Sequence, residues 1–443
     1  MWRAAAAACL CASALAQEYQ TRWYTQRVDH FSPTLPPSNN LTWQQRYLIN
    51  ASFFTNDADG VIFFYTGNES PVTLYAAHSG LMYENAAARH ALLIFAEHRY
   101  YGESWPLGTS ALSLANMRYL SSQQALADYA ALLRHIRAEL GVLPSIPVIS
   151  FGGSYGGVLS AMFRAAYPGT VDGALASSAP LRAFPGQSPP WDSQQYYSVV
   201  TRDATAAGGA ADACASNMRS LWPQLFADGA TAPGRAALSA AFSTCAPLAT
   251  ADDAMALAYF IRGTWDVLAM GNYPYPSDYL TGGGSVYLPA FPFRKACEFL
   301  GAPLPPSQLY AAVAQAMGVF NNASAVPCYA IPPNPFSHPE LPYDGTWDYQ
   351  QCTEMQPDSQ WFTSGGSGDM FFPSPYNLTF LLEHCRKAWG VEPDLEWMTT
   401  RYALPSFHGS SRIIFSNGLY DSWSGASLQE SPAPSRDLIV LSA

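Results

Sequence analysis

Short apolar segments alternate with amphipathic segments over the first part of the chain. Residues 60–65, 91–96 and 146–151 are mostly apolar and rich in β-branched or aromatic side chains, which is typical of buried strands. Apolar residues recur at helical spacing over residues 122–140, which predicts an amphipathic helix. Buried strands separated by helices indicate an α/β fold, with a mostly parallel sheet covered by helices on both faces.

This alternation stops in the middle of the chain and resumes near its end. The interrupted stretch is rich in proline and aromatic residues and contains a helical pattern at residues 252–270. Further strands are expected at residues 22–30, 43–50, 172–177, 411–416 and 437–441. We therefore predict two parts of one core, residues 17–181 and 398–443, separated by an inserted cap over the sheet, residues 182–397.

The candidate nucleophile lies between a strand and a helix. The sequence Gly-Gly-Ser-Tyr-Gly at residues 152–156 follows an apolar strand and precedes a helical stretch at residues 158–167. In this context G-x-S-x-G forms a sharp turn that presents the serine at the end of the strand. Ser154 is then the nucleophile, and the backbone N–H of Tyr155 faces an oxyanion. The alternative is a glycine-rich loop that matches by chance, which the flanking strand and helix make less attractive.

An acid and a base should accompany the serine. Asp421 follows a late strand and is the candidate acid, although an aspartate in a turn is the structural alternative. The α/β-hydrolase order is Ser, Asp, His, yet no histidine follows Asp421 in the 443 residues. His408 is nearest in sequence but precedes the Asp421 strand, and His98 fits a structural or pocket-wall role. We therefore expect the chain as written to be an incomplete hydrolase that lacks its base.

A second oxyanion donor is expected after another sheet strand. Gly67 and Asn68 follow the strand at residues 60–65, where such a donor normally lies. This position disfavours glycosylation of Asn68 despite its N-x-S sequence. The remaining candidate glycosylation sites are Asn40, Asn50, Asn322 and Asn377.

The first 16 residues predict export. Arg3 precedes an apolar stretch that ends in Ala-Leu-Ala at residues 14–16, which is typical of a cleaved signal peptide. We expect a secretory route, with the lysosome, another vesicle or the extracellular space as destination. Six cysteines lie beyond the signal, all within residues 214–385, and an even number in an exported chain implies disulfides. Of the 15 possible pairings, Cys352 with Cys385 is the closest late pair.

The net charge of the chain and the spacing of its cysteines limit the partners and cofactors that we expect. The formal net charge of −11 argues against nucleic acid, and no segment after the signal is apolar over enough residues to span a membrane. The cysteines lack C-x-x-C spacing, so we expect no metal and no cofactor. A homodimer is left open.

Several motifs resemble the serine peptidase family of lysosomal Pro-X carboxypeptidase and dipeptidyl peptidase II. Besides the serine motif, the matching stretches are residues 28–31, 45–48, 65–69, 97–104, 122–128, 176–180, 273–278, 347–354 and 414–418. The resemblance implies an α/β-hydrolase with a helical, disulfide-bonded cap that cleaves peptides on the carboxyl side of proline. It also implies Ser154 as nucleophile, Asp421 as acid, and the pairs Cys214–Cys297 and Cys245–Cys328. The family's Gly-Ala-His-His-Leu-Asp segment, which carries the base, is absent, and its Asp-Pro-Trp reads Asp-Ser-Trp at residues 421–423.

The family contains two exopeptidase modes. A dipeptidyl peptidase must bind a free substrate ammonium, for which Asp348 and Glu69 are the candidate carboxylates. Asp348 alternatively caps a helix. The motif around Asp348 resembles the dipeptidyl peptidase branch, so release of X-Pro dipeptides through an acyl-enzyme on Ser154 is the first hypothesis. Pro-X carboxypeptidase activity is the alternative, and a catalytically silent binding relative is the hypothesis of a different class.

Overall fold

The computed structural model describes residues 19–32, 41–185, 187–188, 190–342, 345–355, 363–366 and 368–442. The predicted signal peptide and the Asn40 site lie outside these residues. Two compact units are present: residues 1–152 with 167–174, and residues 153–166 with 175–443. The boundaries predicted for a core and an inserted cap remain a prediction.

The strands form one mostly parallel sheet in the order β1-β2-β4-β3-β5-β6-β7-β8. Strands β1 to β8 span Gln20–Arg27, Thr42–Asn50, Val61–Thr66, Ala91–Ala96, Val148–Gly153, Gly173–Ser177, Ile413–Asn417 and Leu438–Ser442. β2 pairs antiparallel with β1 and β4, whereas β3 pairs parallel with β4 and β5, and β7 pairs parallel with β8. Every residue of β4 is buried, as expected for a strand covered on both faces.

Helices α1 to α14 span Val72–His78, Gly80–Ala86, Leu114–Met117, Ser122–Leu140, Tyr155–Ala166, Gln195–Asp203, Asp212–Gly229, Ala232–Ala241, Ala251–Met270, Pro292–Glu298, Pro306–Asn321, Gly345–Gln350, Leu378–Trp389 and Trp397–Tyr402. A π-helical turn, Gln351–Met355, continues α12. The predicted helix at residues 122–140 is confirmed, with a Ser121 cap at its start and Gly141 in the left-handed region at its end. Among the described residues, no helix combines the length and the apolarity that a bilayer span requires.

The second unit contains a helical core of its own. Side chains from α6, α7, α8, α9, α10 and α11 form one buried apolar cluster that includes Trp265 and Phe242. Three disulfides reinforce this unit, Cys214–Cys297, Cys245–Cys328 and Cys352–Cys385. They are the pairs expected from spacing and from the family resemblance.

The first unit buries two ion-pair networks that the sequence analysis did not assign. Arg99 donates to both carboxylate oxygens of Asp128, at 2.7 and 2.8 Å, and Asp128 also pairs with His30 at 2.7 Å. Glu97 pairs with Arg46 and accepts a hydrogen bond from the backbone N–H of Val72. Because these charges are buried and paired, the motifs at residues 28–31 and 97–104 serve the packing of this unit.

Candidate active site

Ser154 occupies a strained turn between β5 and α5. Its φ is +55°, in the left-handed region that residues other than glycine rarely adopt. β5 ends at Gly153 and α5 begins at Tyr155, one turn earlier than the sequence pattern predicts. The arrangement is the strand, sharp turn and helix of a nucleophile elbow. Such strain of about 1–3 kcal/mol persists only where the surroundings hold it.

Asp421 lies in the turn after β7 and is half-buried. Its Oδ1 accepts a hydrogen bond from the Trp423 N–H at 3.0 Å, whereas Oδ2 is buried and has no hydrogen-bond partner among the described residues. Burial raises the pKa of Asp421, and the nearby Ser178 side chain and the Trp423 N–H oppose this shift. A buried oxygen in this state is suited to accept a strong hydrogen bond from a further donor.

Backbone hydrogen bonds connect the ends of the strands that carry Ser154 and Asp421. The Ser154 N–H donates to the Ser177 carbonyl at 3.0 Å, and the Ser178 N–H donates to the Ser416 carbonyl at 2.7 Å. Ser416 lies in β7, whose following turn carries Asp421. The nucleophile and acid candidates therefore follow β5 and β7, the strands on either side of β6, which is compatible with the α/β-hydrolase arrangement.

A second buried carboxyl group, Asp203, interacts with Asp421. Neither carboxylate oxygen of Asp203 has a hydrogen-bond partner among the described residues. Burial raises the pKa of Asp203 to about 7; Arg202 and Arg294 lower it, and Asp421 raises it further. Nothing in the sequence around the last residue of α6 distinguishes this aspartate from an ordinary helix residue.

Asp348 lies in α12 and already has partners. Its side chain is 2% exposed, and its Oδ2 accepts a hydrogen bond from the Trp389 indole at 2.6 Å. The His384 Nε2 lies 2.9 and 3.1 Å from the two carboxylate oxygens, while the His384 Nδ1 lies 2.8 Å from the Pro339 carbonyl. Both ring nitrogens therefore lie within hydrogen-bond distance of an acceptor. The sequence analysis missed His384 because its partner is 36 residues away.

The same pair lies beside the Cys352–Cys385 disulfide. One ligand atom each from Asp348, Cys352 and His384 lie within 4.8 Å of one another. A metal would need the Cys352 sulfur as a thiolate, but this sulfur is bonded to Cys385. This cluster is therefore a His384–Asp348 hydrogen-bonded pair next to a disulfide.

The predicted second oxyanion donor lies in the first unit. The Gly67 N–H donates to the Ala96 carbonyl at 3.1 Å, so it is already engaged and Asn68 is the remaining candidate. Asn68 is completely buried, and neither polar atom of its side chain has a partner among the described residues. A buried side chain is a poor acceptor for a glycan. Glu69, the other predicted ammonium ligand, is half-buried.

The three other described glycosylation candidates differ in exposure. Asn322 and Asn377 are exposed, and Asn50 is half-buried. The Asn377 side chain caps α13 by accepting a hydrogen bond from the Phe380 N–H. Use of these sites remains a prediction.

No histidine hydrogen-bonds to the Asp421 carboxylate within the described residues, which include all eight histidines. His98 is fully buried, its Nδ1 lies 2.6 Å from the Arg99 carbonyl, and burial lowers its pKa to about 4. This environment fits the structural role predicted for it. His408 is exposed, and we do not assign it as the general base.

The sheet topology and the turn at Ser154 define an α/β-hydrolase, the fold class that the sequence predicted. Comparison with known families narrows this class: the pattern of the serine carboxypeptidase S28 family matches residues 26–441. The chain belongs to this family and is a serine-type peptidase.

Individual relatives agree with this assignment. Lysosomal Pro-X carboxypeptidases from Pongo abelii and Homo sapiens are each 37% identical to this chain over 418 residues, covering 93% of this chain and 79% of theirs. Among solved structures, an alpha/beta hydrolase from Novosphingobium aromaticivorans matches at 17% identity with a TM-score of 0.23, covering 36% of this chain and 43% of its own.

Proposed function

We propose that this protein hydrolyses peptide bonds on the carboxyl side of proline through an acyl-enzyme on Ser154. The observation that carries the proposal is the strained Ser154 turn, which backbone hydrogen bonds connect through the end of β6 to β7 and the turn after it, where the Oδ2 of Asp421 is buried. Ser154 attacks the carbonyl carbon of proline while a base oriented by Asp421 takes the serine proton, and the Tyr155 N–H stabilises the developing oxyanion. The base gives this proton to the leaving amine as the C–N bond breaks, and water then hydrolyses the acyl-enzyme and restores Ser154.

The Pro-X carboxypeptidase mode is our first proposal within this activity. The two lysosomal relatives carry that name. In addition, His384 and Trp389 already occupy the Asp348 carboxylate, which weakens it as the ligand for a substrate ammonium. Release of X-Pro dipeptides, the first hypothesis from the sequence, is the second candidate because Glu69 and Asp348 remain the carboxylates suited to that ligand. Following the same relatives, we propose a lysosomal location.

Two matched peptides separate the modes. N-acetyl-Ala-Pro-Phe has a blocked amine and a free carboxylate, whereas Ala-Pro-Phe-amide has the reverse. Both contain the same Pro-Phe bond, and the products are separated by chromatography and identified by mass. Faster cleavage of the acetylated peptide supports the carboxypeptidase mode, and faster cleavage of the amide supports the dipeptidyl mode. Cleavage of neither peptide, by residues 1–443 and by a version extended with Gly-Ala-His-His-Leu-Asp, rejects the proposal.

The rate of peptide hydrolysis depends on the general base that accompanies Ser154 and Asp421. No histidine bonds to Asp421 within the described residues, so the base is tested by comparing residues 1–443 with a version that carries a C-terminal segment with Gly-Ala-His-His-Leu-Asp. Turnover of the peptides and labelling of Ser154 by a fluorophosphonate probe are measured for both. Loss of a triad base reduces rates by several orders of magnitude, since the triad acts as a unit, and a much faster extended version would mean that the added segment supplies the base. Equal rates would mean that another residue serves as base, and His408→Gln would then be the first variant to test.

A further inference from the structure

The residue after the nucleophile is held through its side chain by α12. Tyr155 is buried, and its hydroxyl accepts a hydrogen bond from the Gln350 amide at 3.0 Å. The rings of Tyr155 and Trp347 lie in contact, with centroids 5.1 Å apart. Gln350 is also buried, and its amide nitrogen donates to Glu354 at 3.1 Å. α12 therefore holds the Tyr155 side chain in place by both packing and hydrogen bonding.

α12 and the π-helical turn after it are themselves fixed to α13. Asp348, two residues before Gln350, is bound by His384 and Trp389. Cys352, two residues after Gln350, is bonded to Cys385. A contact that positions an active-site residue has to come from a rigid support. The hydrogen bonds to Asp348 and the disulfide supply that support on either side of Gln350.

We propose that Gln350 is a positioning residue for the reaction at Ser154. By holding the Tyr155 side chain, it keeps the strained turn at Ser154 in place and fixes the direction of the Tyr155 N–H. The strain at Ser154 favours relaxation of the turn, and rotation at Tyr155 would move the oxyanion donor. The proposal rests on the proposed function, because it takes Ser154 as the nucleophile.

Two substitutions remove the same hydrogen bond from opposite sides. Gln350→Met keeps the length of the side chain and loses the amide, and Tyr155→Phe keeps the ring and loses the hydroxyl. Ser154 phosphonylation by a fluorophosphonate probe is followed in the full chain, and kinact is separated from KI. We expect either variant to lower kinact about tenfold, with KI unchanged, as for loss of one buried hydrogen bond. The double variant should be no slower than a single one, because the effects are not additive.

Two control variants distinguish positioning from loss of stability. Thr353→Val removes a hydroxyl that bonds to the Tyr349 carbonyl in the same segment, and Tyr310→Phe removes a hydroxyl bond to Asp228 among the cap helices. Both should change thermal stability without changing kinact, measured well below the melting temperatures.

The possible results distinguish the positioning role of Gln350 from the proposed function. Wild-type kinact in Gln350→Met, additive effects in the double variant, or a change in KI alone overturns the positioning role while leaving the proposed function intact. An equal loss of kinact in the two controls overturns it as well. Absence of Ser154 labelling in the wild type and in both controls rejects the proposed function, and the role of Gln350 with it.

Discussion

The buried carboxyl group of Asp203 should make the stability of this protein depend on pH. Burial raises its pKa from 3.8 to about 7 in the folded state, while the unfolded chain restores the ordinary value. Between pH 4 and pH 7 the folded protein therefore holds a proton that the unfolded chain has released. Stability linked to this group is complete below pH 4 and is lost as the pH rises towards 7.

The magnitude follows from the shift. About three pKa units at 1.36 kcal/mol each correspond to a loss of about 4 kcal/mol in the free energy of unfolding between pH 4 and pH 7. Asp203→Asn mimics the protonated, uncharged form. The variant should match the wild type near pH 4 and exceed its free energy of unfolding by up to about 4 kcal/mol at pH 7.5.

Urea denaturation at pH 4, 5.5 and 7.5 measures this difference. The comparison with the variant is essential because His98, whose pKa is lowered to about 4, contributes the opposite trend: stability linked to it is lost as the pH falls below about 6.5. The exposed Asp192 supplies a matched control, and Asp192→Asn should show no such trend. A constant difference between Asp203→Asn and the wild type at all three pH values would refute the reasoning, as would a variant less stable at pH 7.5.

Four further variants test local geometry through the free energy of unfolding. Ser154→Gly should abolish labelling of residue 154 and yet stabilise the fold by about 1 kcal/mol, because glycine tolerates the φ of +55°; a destabilised variant would contradict this. Gly67→Ala should destabilise by about 2 kcal/mol or more, since a Cβ would lie 2.1 Å from the Ala96 carbonyl oxygen. Gly263→Ala, with open space inside α9, should stabilise instead, and equal effects at the two glycines would be inconsistent with the packing. Replacing Cys352 and Cys385 by alanine should destabilise by about 4 kcal/mol, from a sequence separation of 33 residues; an unchanged urea midpoint would show that this crosslink adds little.

Local pattern was sufficient to predict the elements that place the nucleophile. The β5 strand, the glycine-rich turn and the helix after it are contiguous, so a short stretch of sequence contains all of their determinants. The helix at residues 122–140 likewise carries its own periodicity and both end signals. The first and last residues of helices and strands were less predictable where the chain changes direction. The start of α5 at Tyr155 is an example, because the glycines at 156 and 157 obscured it.

Long-range pairing could not be predicted from the sequence. The partner of Asp348 is His384, and the partner of Tyr155 is Gln350, 195 residues further along the chain. Asp203 is unusual only because folding buries it near Asp421. Such environments depend on which helices meet in the folded chain, and no spacing rule for a single element encodes them.

The central claim is hydrolysis after proline by Ser154, and product release from N-acetyl-Ala-Pro-Phe tests it most directly. The measurement uses the version extended with the Gly-Ala-His-His-Leu-Asp segment, with Ser154→Ala in the same background. The account predicts release of phenylalanine and N-acetyl-Ala-Pro by the extended protein, and loss of this release in Ser154→Ala. Release that persists in Ser154→Ala, or no release by the extended protein, would contradict it.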